Sequence, residues 1–301
     1  MSERQPDGGF ESATEPAREV ANTPLIAHHR RDQLLKYGLY GFAGLMLLFL
    51  WIPLFVMTFL SFATNPATIV PFEGFTLVHY AETFADDALI ASLLNSFQVA
   101  TISASIATVL GVLASFGLVR YEFPFKETFR TFGILPLIIP GVILGLSMLI
   151  FFRSLVGIGT GFLTVVLTHS VYGFPFVMLP VTARLYGFDE SLEESARDLG
   201  ADTIEAFVDV TLPIIAPAIG AGFLFAWIRS FEDFIRAFFV RGTTRIVTTQ
   251  MYGMIKYGLG NRMNAISTVI IVVIAVTLAL AMNYGNVSQF VGNSETESDE
   301  E

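Results

Sequence analysis

Two groups of side chains in this sequence are of types that could do chemistry. One is the run Glu193-Glu194-Ser195-Ala196-Arg197-Asp198-Leu199-Gly200, followed nine residues later by Val210-Thr211-Leu212-Pro213. It is a polar, helix-forming island between apolar stretches, and its chemistry is ion pairing and docking in water. The other is Arg229-Ser230-Phe231-Glu232-Asp233, which closes an apolar stretch. Charges in or beside such a stretch are costly in lipid and face a bundle interior or a solute pathway. Glu232 and Asp233 would suit a cationic solute as contacts or gate residues. The alternative, which the neighbouring charges favour, is that they pair with Arg229 or Arg236 at the interface.

Bond chemistry finds no support. The chain has no cysteine, which excludes disulfides, thiol catalysis and Cys-ligated metals. His28, His29, His79 and His169 have no metal-ligand spacing among themselves. His169, beside Ser170 inside an apolar run, reads as a neutral, hydrogen-bonded residue. No glycine-rich phosphate loop ending in Gly-Lys-Ser/Thr occurs, so ATP hydrolysis by that route is excluded. Glu193-Glu194 with Arg197 misses the spacing of an intramembrane protease signature by one residue, and no histidine pair follows. No enzyme activity, cofactor or metal is expected.

The elements that must position these groups are set by hydropathy. Of the 301 residues 53% are hydrophobic and 15% charged, against roughly 25% charged in soluble domains. Cutting the chain at its charged residues leaves six long charge-free runs, at 37–72, 88–119, 131–152, 154–183, 210–228 and 263–294. Each can hold the roughly 20 apolar residues of a spanning helix. The stretch 246–255 is too short to span. Barrel strands are about 9–11 residues long, so the runs are helices. The first 36 residues are polar, with no cleavable signal, and Arg30-Arg31 reads as a basic flank of the first helix. The net charge of −10 owes much to an acidic tail.

An even number of spans puts both termini on one side. Lys and Arg are concentrated before residue 37, in 120–130 and in 184–209; 73–87 has none. This asymmetry places the termini and those loops in the cytoplasm, although 229–262, on the other side, carries six basic residues. Ser103, Ala107 and Gly111, then Ala114 and Gly117, then Gly220 and Gly222 recur at spacings that allow close helix contact. Pro136, Pro140, Pro175 and Pro180 are expected to kink or break helices.

Residues 189–212 read as two short helices around a glycine. Ser191 to Glu194 has the form of a capping box, and Glu193 and Arg197 sit four apart for a surface ion pair. Gly200 suits the left-handed position that ends a helix. Asp202-Thr203-Ile204-Glu205 offers the next acidic cap, and Ile204, Phe207 and Val208 form an apolar stripe. Pro213 marks the entry to the fifth span.

This segment resembles the EAA loop of ABC importer permeases: Glu-x-Ala-x-x-x-Gly, nine residues, then aliphatic-x-Leu-Pro. Glu194, Ala196, Gly200, Val210, Leu212 and Pro213 fit the pattern, with Ser195 and Val210 as mild departures from the usual Ala and Ile. The likeness extends over roughly residues 37–290, through Phe75-Thr76-Leu77, Asp87 to Ser96, Arg120-Tyr121-Glu122-Phe123, residues 136–145, Met251 to Gly258 and Asn264 to Thr268. Within the family these are similar to the spermidine/putrescine permease subunits of the second, shorter type.

The resemblance implies an all-α membrane protein with six transmembrane helices and a type I importer core. It divides into a disordered cytoplasmic N-terminal segment (1–35), a permease domain (36–290, with the coupling loop at about 189–213) and an acidic cytoplasmic tail (291–301). It further implies a non-catalytic subunit in the cell membrane that works with ABC ATPase subunits, a second permease subunit and an extracytoplasmic solute-binding protein, in contact with lipid and not with nucleic acid. Glu194, Ser195, Ala196, Gly200, Val210, Leu212 and Pro213 would be the coupling residues. Polyamine is the first expectation for the solute; iron, thiamine or sulfate are the alternatives. An ion-coupled secondary transporter is the rival class, but it predicts intramembrane carboxylates and inverted repeats.

Overall fold

The computed structural model describes residues 25–65, 72–257 and 260–284. The acidic tail and residues 1–24 lie outside them. The first helix, α1 (Leu25–Leu60), starts well before residue 36, because no proline or glycine separates Leu25 from the apolar run. The chain up to Phe55 forms its own unit. Its large apolar side chains from Tyr37 to Phe55 are exposed around the helix, the surface of a span in lipid.

The second unit begins at Val56. In order it contains α2 (Val78–Phe84), α3 (Asp87–Arg120), α4 (Lys126–Ile138), α5 (Gly141–Ile150), α6 (Phe162–Tyr186), α7 (Ser191–Asp198), α8 (Thr203–Ala206), α9 (Leu212–Phe231), α10 (Ile235–Val240), α11 (Val247–Lys256) and α12 (Gly260–Tyr284). Among the described residues, extended pairing is confined to one isolated bridge, Ala63 to Phe75.

Among the described residues, five helical stretches are long and apolar enough to cross a membrane: Leu35–Leu60, Asp87–Arg120, Phe162–Tyr186, Thr203–Phe231 and Arg262–Leu280. The run at 131–152 is not a single helix. α4 and α5 meet at a bend of 107°, and counting that pair as one crossing gives six. The cause is Pro140, which lacks an N–H and disfavours helical geometry in the residue before it. Ile139 accordingly has φ −67° and ψ 127°. Pro136 lies inside α4, while Pro175 and Pro180 lie inside an uninterrupted α6; these three do not end their helices.

The core is a triangle of α3, α6 and α9. Hydrophobic exclusion does little between helices in lipid, so close packing must hold them. Val177 of α6 is wedged between two glycines: a Cβ on Gly111 would come within 2.8 Å of its Cβ, and one on Gly222 within 2.8 Å of its Cα. Ser103, Ala107 and Gly111 are buried on one face of α3. Gly117 and Gly220, expected to play the same part, have nothing within 4 Å of such a Cβ. Trp227 and Phe231 stack at 5.1 Å to complete the α9 face.

Candidate functional site

The segment that enters α7 is turned by Asp189, whose Oδ1 accepts from the Ser191 N–H at 3.0 Å. Ser191 is therefore the first helical residue and not the cap, and the Glu190 side chain in the cap position makes no capping hydrogen bond. The expected capping box at 191–194 does not form, which leaves Glu194 exposed on the outer face. The expected Glu193–Arg197 ion pair does not form either. Arg197 Nε points to the Glu193 carbonyl oxygen at 3.4 Å, because the Glu193 carboxylate is engaged by Arg120 at the C-terminal end of α3.

That engagement is a two-pronged fork. Arg120 Nη1 donates to Oε2 at 2.8 Å and Nη2 to Oε1 at 2.7 Å, and the Thr211 hydroxyl also donates to Oε1. Glu190 stands 3.8 Å from Arg120 Nε, and the Phe188 ring centre is 5.5 Å from the guanidinium carbon. Planar forks of this kind fix orientation as well as distance. The Arg120 guanidinium holds the Glu193 carboxyl below the usual carboxylate range, against the opposing pull of partial burial, and Thr211 adds to the lowering.

α7 ends as its glycine requires. Gly200 has φ +102°, its N–H donates to the Arg197 carbonyl at 2.9 Å, and the Ala201 N–H donates to the Ala196 carbonyl at 3.1 Å. These are the two bonds of a Schellman turn, so Ala196 and Gly200 act as one unit. Asp202 then caps α8 as expected: Oδ1 accepts from the Ile204 and Glu205 N–H groups, and the Glu205 carboxylate returns to the Asp202 N–H.

The expected second helix of the loop does not stand apart from the fifth span. A π turn (Phe207–Thr211) carries α8 straight into α9, with Pro213 in the first turn. Pro213 has no N–H for the carbonyl four residues back, and a widened turn absorbs that loss. The predicted apolar stripe also splits. Phe207 turns inward against Phe116, ring centres 5.4 Å apart, while Ile204 and Val208 stay exposed. Leu199 at 90% and Ile204 at 72% exposure, with Glu194 and Ser195, form an outward surface. Val210 is half-buried; Leu212 and Pro213 are exposed.

The second group lies at the other end of α9. Ser230 Oγ hydrogen-bonds Ser103 of α3 at 2.9 Å and His169 Nδ1 of α6 at 2.8 Å. His169 Nε2 is 3.2 Å from Asp233 Oδ2, without the alignment of a hydrogen bond. Asp233 Oδ1 accepts from Arg236 Nη1 at 2.7 Å, with the two side chains only 7% and 9% exposed. The guanidinium lies 3.3 Å over the Tyr172 ring. The Tyr172 hydroxyl accepts from Arg229 Nη2 at 2.8 Å, and Arg229 pairs with Glu232. Both carboxylates are therefore paired; Asp233 is buried, and Glu232 is half exposed. No group of metal-ligating side chains occurs among the described residues.

Arg120, Thr211, Ser103 and Tyr172 were missed as site residues in the sequence. Only Arg120 carried a signal: a cation closing a long charge-free run sits where a helix C-terminus favours positive charge.

The family described as binding-protein-dependent transport system inner membrane component matches residues 107–287. This chain belongs to that family. Among its relatives is the Escherichia coli spermidine/putrescine transport system permease protein PotC, 31% identical over 77% of this chain and 88% of that one. The E. coli putrescine transport system permease protein PotI is 32% identical over 83% and 88%. A solved bacterial alginate ABC transporter, in complex with an alginate-bound periplasmic protein, contains a chain that superposes with a TM-score of 0.64 at 18% identity, covering 86% of this chain and 96% of that one. The fold is therefore that of a type I importer permease. The protein is a multi-pass inner-membrane transport subunit, and ATP hydrolysis falls to a partner.

Proposed function

We propose that this subunit imports a polyamine, with 189–213 seated on an ABC ATPase and both termini in the cytoplasm. The observation that carries the coupling role is the outward surface of α7 and α8. A polar loop that turns Leu199 and Ile204 away from its own protein presents the apolar anchors a protein partner covers. Glu194 and Ser195 are exposed as well, and Ala196 and Gly200 close the turn that ends α7. Val210, Leu212 and Pro213 set how the loop enters α9. The polyamine assignment is supported by 31–32% identity to two polyamine permeases over 88% of their length. The cytoplasmic placement is supported by the Lys and Arg asymmetry.

In this reading the chain pairs with a second, different permease chain and receives solute from an extracytoplasmic binding protein. ATP-driven closure of the ATPases draws the loops together and opens the helices outward; hydrolysis resets them. A diamine carries the same charge type as the guanidinium of Arg229. Glu232, half exposed and paired with that arginine, is the carboxylate placed to exchange it for a substrate ammonium; Asp233 is held in the buried network. The test is putrescine uptake by proteoliposomes holding this chain with the second permease, ATPase and binding-protein subunits. Replacing Glu194 and Gly200 should abolish uptake. Uptake that survives both changes, or that needs no ATPase, would sink the coupling role. A binding protein with no affinity for putrescine or spermidine would overturn the substrate.

A further inference from the structure

α7 displays the outward surface yet buries none of its own side chains. Force applied to it can pass inward only through the groups that hold it, and the polar ones converge on Glu193. We infer that Arg120, Glu193 and Thr211 form a rigid clamp that makes α7 move as one body with α3 and α9, Arg120 and Glu193 being positioning residues for coupling. This rests on the reading of 189–213 as the ATPase-docking loop.

The geometry supplies the rigidity. One hydrogen bond leaves a side chain free to swing, whereas two parallel bonds fix the plane of the guanidinium against the carboxylate. The Thr211 hydroxyl adds a third bond from a different element. One carboxylate thus joins the end of α3, the middle of the loop and the residue just before α9. Beneath it, the Phe116–Phe207 contact ties α3 to the π turn. The same two long helices are joined again near the far end of α9 by the Ser103–Ser230 hydrogen bond at 2.9 Å. Seventeen helical residues separate Ser103 from Arg120, about 25 Å along α3. With α3 and α9 pinned at two such points, a push on α7 reaches the buried network without being lost in a flexible joint. Adjacent residues on a helix point about 100° apart, so the two glutamates divide the work. Glu193 faces inward to the clamp, and Glu194 faces outward to the partner.

This chain has no native cysteine, so it can be labelled at chosen positions before it is assembled with its partners. Spin labels at Tyr121→Cys and Asp198→Cys, both exposed sites, report the distance from the end of α3 to α7. The measurement uses the full transporter in lipid nanodiscs, with and without a non-hydrolysable ATP analogue. With the clamp intact the distance distribution is narrow and unchanged by nucleotide. In Arg120→Gln and in Glu193→Gln it broadens, putrescine taken up per ATP hydrolysed falls several-fold, and the ATPase subunits still co-purify. The charge-reversed pair Arg120→Glu with Glu193→Arg restores the narrow distribution, and Thr211→Val gives an intermediate one. A distribution that stays narrow in both single variants overturns the clamp, as does a reversed pair no better than the singles. The docking reading fails separately, if Leu199→Asn leaves ATPase co-purification and uptake intact. The distance measurement still decides the clamp in that case.

Discussion

Arg120–Glu193 and Arg236–Asp233 are the same chemical pair in opposite surroundings. The first stands at the aqueous edge of the bundle with side chains 22% and 14% exposed, and joins a helix that has no buried side chain of its own. The second, at 9% and 7%, is enclosed by Tyr172, His169 and Ser230. Desolvation of two charges is a large penalty that only good geometry and further hydrogen bonds offset. The buried pair recruits a histidine, a tyrosine face and a serine relay; the edge pair has Thr211 on its carboxylate and Glu190 and the Phe188 ring beside its guanidinium. An ion pair near water can link parts that move against a partner; a buried one fixes helices relative to each other.

Breaking the buried pair should have the largest effect. Asp233→Ala leaves Arg236 charged and enclosed, and is expected to cost about 3–5 kcal/mol in thermal unfolding of the detergent-solubilised protein. Adding Arg236→Met should recover part of that loss; no recovery would mean that the carboxylate matters through other contacts. Breaking the edge pair with Glu193→Ala is expected to cost about 1–3 kcal/mol, and less at high salt. If the two losses match, the contrast in burial carries no energetic weight.

Smaller effects sharpen the edge region. Gly200→Ala forces a Cβ into φ +102° and is expected to cost about 1–2 kcal/mol, read as a lower melting temperature with reduced ATPase binding. The pH response has a definite sign. Glu193 has a lowered folded pKa, so its contribution is complete above the ordinary carboxylate value, about 4.3, and is lost as pH falls through the folded value. Arg120, Glu190 and Arg197 are the charged groups around it. The α3–α7 distance should therefore stay fixed from neutral pH down to about 5 and broaden only in stronger acid. Glu193→Gln should show no such acid step. Leu199→Asn, at a site 90% exposed, should change stability by no more than about 0.5 kcal/mol while weakening ATPase co-purification.

The sequence by itself determined where the long apolar helical stretches lie, because a charge-free run of 20 or more apolar residues has few other solutions. It also determined how α7 ends and α8 begins. Gly200 ends α7 and Asp202 opens α8 through local backbone chemistry that depends on no distant residue. The break before Pro140 belongs to the same class. Tertiary structure alone decided the partners. Glu193 had one local candidate, Arg197, and did not take it, because Arg120, 73 positions away, presents a planar fork that a flexible neighbour cannot match. Gly111 and Gly222 became contacts while Gly117 and Gly220 did not, since spacing along one helix cannot say which face meets Val177. Asp233 likewise looked like an interfacial carboxylate. Only the folding of α3, α6 and α9 against one another brought Ser103, His169 and Ser230 around it, because pairing in a helical bundle is settled by distant side chains that the local sequence does not encode.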